Sequence, residues 1–177
     1  SFSRIFLGIE PGHANITKPI KLILDKYKSH ASVAGISIDT EFYNYAGEWD
    51  DKSQWPAHPC ANPDKPESLL GCNEKVGNDL ALYWDMLIKS YNPQYRLILK
   101  HWNPEALPPK YRGDIIFATD TQETGSLANH KSEFKIWGTA FSGNDVMLQA
   151  GYPADWSWIK KLSPDTTKLP RKMADEM

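Results

Sequence analysis

A parallel α/β sheet with helical crossovers, wound as part of a (β/α) barrel of the TIM type, is the fold this sequence predicts. Short apolar runs alternate with segments of helical periodicity, and the connections between runs are far too long for antiparallel hairpins. Several runs also finish in polar and aromatic residues, at the C-terminal edge where such sheets carry their sites. Residues 1–162 read as one domain and 163–177 as a peripheral C-terminal extension.

The first strand is RIFLGIEP, residues 4 to 11. Thr17 is then expected to cap a helix reaching about Ser29, with Pro19 tolerated in its first turn. Strand 33–42 follows, and after it a loop over 43–72 rich in Pro, Asp, Asn and Trp, long enough to suggest a binding role or a rim insertion. A helix over about 74–90 places Val76, Leu80, Tyr83, Trp84 and Leu87 on one apolar stripe. YRLILKHW (95–102) is the third strand. The Arg112-Gly113-Asp114 turn leads into the fourth, DIIFATD (114–120), and a helix over about 126–140 leads to the fifth, DVMLQAGY (145–152). A closed barrel needs eight strands and about 250 residues. The five strands therefore read as a partial barrel, a fragment of a larger one or a piece completed by a partner, while an open five-stranded sheet needs nothing further.

The formal charge of −2 gives no electrostatic case for nucleic acid or an anionic membrane. No stretch approaches the roughly 20 apolar residues of a membrane span, and the N-terminal residues lack a basic region followed by a long apolar one. No glycine-rich phosphate loop follows any strand; Gly8 and Gly12 lack the spacing and the lysine. Seven Trp and eight Tyr are many for 177 residues. Aromatic faces beside loops suit the C–H faces of sugar rings, although the same residues also fill cores.

Strand 33–42 carries the chemistry. Its period of two sets Ser37, Asp39 and Glu41 on one face, with Glu41 at the C-terminal end, and turns Ile36 and Ile38 to the packing helices. Glu10, Tyr43, Asp120, Gln122, Gln149 and Tyr152, at or beside other strand ends, are candidate substrate contacts at the same mouth. Trp102 and Trp156 are candidate platforms. Lys100 supports a rival reading, a Schiff-base aldolase or lyase whose desolvated amine attacks a carbonyl. His58, Cys60 and Cys72 fall short of a four-ligand metal site, so neither metal nor cofactor is expected.

AGISIDTE (34–41) resembles the strand-four signature of glycoside hydrolase family 18, D-G-x-D-x-D-x-E, and the continuation EFYNYAG is closer to the endo-β-N-acetylglucosaminidase branch than to the chitinases. Gly35, Asp39 and Glu41 match; Ala34 and Ser37 stand where the family has aspartates, and Thr40 replaces a frequent Trp. The resemblance implies Glu41 as the general acid and Asp39 as the group orienting the substrate's 2-acetamido, whose carbonyl attacks the anomeric carbon in a retaining, substrate-assisted route. It implies a carbohydrate partner containing N-acetylglucosamine, and the replaced aspartates leave a non-catalytic carbohydrate-binding or structural chain as the alternative.

Cys60 and Cys72 are expected to pair, removing about 3 kcal/mol of loop entropy in the simple chain model. Asn15-Ile16-Thr17 is a glycosylation sequon. Together they point to a secreted glycoprotein.

Overall fold

The computed structural model describes residues 3–11, 15–41, 43, 76–120 and 124–176. Five strands, β1 (Ile5–Ile9), β2 (Val33–Asp39), β3 (Arg96–His101), β4 (Ile116–Thr119) and β5 (Val146–Leu148), form one sheet in the order β1-β2-β3-β4-β5, and every neighbouring pair is parallel. Helices α1 (Thr17–Tyr27), α2 (Asn78–Tyr91) and α3 (Leu127–Ala140) connect them, with α4 (Trp156–Leu162) and α5 (Leu169–Glu176) after β5. Between β3 and β4 the described residues contain only a short 3-10 turn, Pro104–Ala106, capped by Asn103, whose side chain accepts from the Glu105 N–H.

The main core lies on one face of this sheet. Ile36 and Ile38 of β2, Leu97 and Leu99 of β3 and Phe117 of β4 pack in a single cluster with Ile20 and Leu24 of α1, Trp84 and Ile88 of α2 and Trp137 of α3. Sequential strand order with the helices packed against one face is the winding of a barrel; a doubly wound sheet reverses its strand order and carries helices on both faces. The opposite face holds a small cluster of Ile98, Ile116 and Ala118 with Phe6 beside it. The sheet is not closed: β1 and β5 are its edges, and Ile5 and Met147 on them are exposed.

Local chemistry departs from expectation at three places. Thr17 is the first residue of α1 rather than the residue before it, and the Asn15 side-chain oxygen accepts the Lys18 N–H at 3.2 Å. In α2 the buried stripe is Leu80, Ala81, Trp84 and Ile88, the i, i+4, i+8 row, whereas Tyr83 is exposed. Asp85 joins that buried side, which hydropathy could not suggest: it takes Tyr111 Oη at 2.7 Å and pairs with Lys89, while Lys89 also meets Asp114 at 2.5 Å. The turn at 113–114 into β4 forms as expected, with Gly113 at φ 46°. Residues 163–176 carry the final helix, α5, which buries none of its residues.

The expected Cys60–Cys72 bridge requires correction. Both cysteines lie outside the described residues, and no disulfide is present among the described residues. The bridge is withdrawn, and with it the main support for secretion. The loop over 43–72, Tyr43 excepted, likewise lies outside the described residues.

Candidate functional site

The register of the sheet builds the site. Asp39, the last residue of β2, lies beside Lys100 on β3, and Lys100 lies beside Ala118 on β4. Parallel neighbours in register share a face, so Asp39 and Lys100 both project on the side away from the helices, where Ile98, Ile116 and Ala118 form the floor. The chain is then held at the strand ends. The Thr40 N–H and Oγ1 both donate to the Lys100 carbonyl at 2.8 Å, and the Asp120 N–H donates to the His101 carbonyl at 3.0 Å. These bonds bring Glu41 and Asp120 to the mouth where Asp39 ends.

Oxygens of Asp39, Glu41 and Asp120 lie within 4.8 Å of one another. Lys100 Nζ bridges two of these groups, at 2.8 Å from Asp39 Oδ2 and 3.0 Å from Asp120 Oδ2. Asp39 Oδ1 accepts the Glu41 N–H at 3.1 Å, and Asp120 Oδ1 accepts Tyr152 Oη at 3.1 Å, while Gln149 Nε2 donates to that same hydroxyl at 3.2 Å. Three carboxylates this close are a donor set for a divalent cation among the described residues. The ammonium sits between two of them, Asp39 and Asp120.

Burial raises the Glu41 pKa above its usual 4.5, the charges of Asp120 and Asp39 raise it further, a hydrogen bond with Asp120 adds to this, and Lys100 partly offsets the rise. That shift favours the protonated form of Glu41. Burial alone would push Lys100 down, but its hydrogen bonds to Asp39 and Asp120 outweigh that and hold the ammonium above its usual range. A Schiff-base nucleophile needs a free neutral amine, so the aldolase reading of Lys100 is dropped. Burial also lifts Tyr152, helped by Asp120.

His101, on the helix side of the same strand end, was not anticipated. Its ring is fully buried, Nδ1 accepts the Asn103 N–H at 2.8 Å, and Nε2 has no partner. Burial pushes its pKa down to about 4 despite the pull of Asp39 and Asp120. Its place in an apolar run ending at a polar residue gave no sign of this.

The other expected contacts divide. Ser37 lies on the open face and, with Ile98, Lys100, Met147 and Gln149, lines a cavity of about 340 Å³ that runs along it. Gln149 and Tyr152 join the cluster through Asp120. Glu10 is exposed just beyond β1. Tyr43 is fully buried in the main core, edge-on to Trp84 at 5.4 Å, so it presents no face to a ligand. Trp102 and Trp156 are about half exposed; Trp156 Nε1 is held by the Gly151 carbonyl at 2.8 Å. Gln122 lies outside the described residues.

No protein-family model matches the chain, and no curated protein or solved structure matches it either. The secure description is a parallel α/β sheet of partial-barrel type, and the expected labels of glycosidase, disulfide-bonded protein and secreted glycoprotein gain no support from these comparisons. At Asn15 the side-chain oxygen serves as a helix cap.

Proposed function

We propose that the chain acts on glycans, hydrolysing a β-linked N-acetylglucosamine by a retaining, substrate-assisted route. The observation that carries this reading is the Glu41 carboxyl, its pKa raised by burial and by the neighbouring charges of Asp120 and Asp39, just past the C-terminal end of β2. Glu41 gives its proton to the glycosidic oxygen as the bond to the anomeric carbon breaks. The substrate's acetamide carbonyl attacks the anomeric carbon, with Asp39 accepting a hydrogen bond from the acetamide N–H to orient it. Water then opens the cyclic intermediate, and the Glu41 carboxylate takes the proton that water releases.

The site also needs walls. Further βα units pairing with the open edges of β1 and β5 would close the barrel around the cavity beneath the acids, and the proposal includes them as the partner of this sheet. Chitin oligomers and high-mannose N-glycans are the substrates to try, by chromatography of released product. The native protein should release product, and Glu41→Gln should lower the rate by about 10²–10⁴-fold while still binding. Binding without release by the native protein would favour a carbohydrate-binding chain, the reading to which Ser37 and Ala34 already lend weight. Neither binding nor release would remove the glycan reading.

A further inference from the structure

We propose that His130 is an acid-sensitive latch: while its imidazole is neutral, the C-terminal helices α4 and α5 stay on α3, and when the ring takes up a proton they come away. The inference goes beyond the glycan reading and does not depend on it.

The ring sits where α3 meets the turn and helix that follow β5. His130 is buried, and neither of its nitrogens has a hydrogen-bond partner among the described residues. It lies against Trp158 of α4, with ring centroids 5.2 Å apart. Trp158 is itself buried, and its Nε1 donates to Asp155 Oδ1 at 3.0 Å. One residue along α3, Lys131 pairs at 2.7 Å with Glu176, the last residue of α5. Adjacent positions on α3 therefore hold α4 and α5. The Asp155 N–H also donates to the Tyr152 carbonyl at 2.8 Å, and the Tyr152 hydroxyl bonds Asp120, so the latched turn reaches the mouth of the sheet.

A neutral imidazole carries one N–H and an imidazolium two. Both would point into a buried site with no acceptor, which penalises the cation. The charged groups acting on the ring are Asp155, from the turn before α4, and Glu133, one turn along α3. Each is already engaged. Asp155 accepts at Oδ1 from Thr124, Gly125 and Trp158, and Glu133 accepts Trp137 Nε1 at 2.7 Å. Burial accordingly holds the His130 pKa below its ordinary 6.5, although both acids pull it upward. Once α4 opens, the ring regains its ordinary value. The latch is thus at full strength above pH 6.5 and weakens as pH falls toward the folded value. The Lys131 pair does not follow the same course: its hydrogen bond keeps Glu176 below the usual 4.5, so mild acid leaves it intact. As an exposed pair it holds α5 only weakly.

The test is amide hydrogen exchange of the native protein and of His130→Phe at pH 7 and pH 5, corrected for intrinsic rates; phenylalanine keeps a ring against Trp158 that cannot be charged. In the native protein, protection of α4, α5 and residues 124–126 should fall by up to about tenfold for each pH unit below 6.5, while β2 and β3 stay protected. His130→Phe should keep its protection at both pH values. Equal loss in His130→Phe, parallel loss in β2 and β3, no loss at all, or an α4 already unprotected at pH 7 would each overturn the latch. Should His130→Phe fail to fold, NMR of the native protein decides. The His130 ring should titrate below 6.5 and the Trp158 indole N–H signal should change with the same midpoint; a midpoint at or above 6.5, or an indole signal blind to it, would contradict the proposal.

Discussion

Glu41 takes up a proton more readily in the folded chain than in the unfolded one, because burial, Asp120 and Asp39 all penalise its charge. The sign of the linkage follows. Below its ordinary value of 4.5 the protonated group costs the fold nothing, and as pH rises through the raised folded value the ionised form is penalised and stability is lost. Glu41→Gln should therefore be more stable to urea than the native protein at pH 7, with the difference closing at pH 4. His101 works in the opposite direction. Held at about 4 against an ordinary 6.5, it favours the fold above pH 6.5, and that contribution is lost as pH falls toward 4. His101→Gln should flatten the fall in urea midpoint between those pH values; an unchanged slope would mean that the buried imidazole is not its source. At this scale the sequence was legible where period two decides, at Ser37, Asp39 and Glu41. It left Lys100 as either a lysine paired with an acid or a rival nucleophile, and the structure shows it paired with two, Asp39 and Asp120; Tyr43 looked like a rim residue although its ring fills the core.

Among the elements, β2 depends on Gly35, read first only as part of a family pattern. Its φ is 150°, and a Cβ there would fall 1.9 Å from the Arg96 carbonyl oxygen across the β2–β3 ladder. Gly35→Ala must displace backbone, at a cost of roughly 3 kcal/mol or more, measurable as a lowered urea midpoint. The loop after β4 has its own anchor. Buried Asp155 accepts at Oδ1 from Thr124 Oγ1 at 2.8 Å, the Gly125 N–H at 3.1 Å and Trp158 Nε1 at 3.0 Å, tying the entry to α3 to the turn before α4. Asp155→Ala strands these donors and should cost about 3 kcal/mol, with amide exchange rising first at 124–126. Among the described residues, apolar periodicity found every strand and the three crossover helices. It missed the Asn15 cap and the Asp85 to Tyr111 contact, because both depend on one polar side chain meeting a particular donor rather than on an average pattern.

For the molecule as a whole, the alternation of strands and helices predicted a parallel sheet, and the sequential order β1 to β5 makes its winding that of a barrel. The sequence left an open sheet and a partial barrel as alternatives, since both share the same alternation; only strand order and the helices' common face distinguish them. The cluster at the mouth then follows from topology, because three successive strands ending at one edge bring Asp39, Lys100 and Asp120 together across more than eighty residues of chain. The central claim is that this cluster performs retaining hydrolysis through Glu41. Proton NMR of the first sugar released from a chitin oligomer or an N-glycan tests it most directly. The account predicts a β-anomer appearing before mutarotation, and its loss in Glu41→Gln; an α-anomer as the first product, or release that survives Glu41→Gln undiminished, would contradict it.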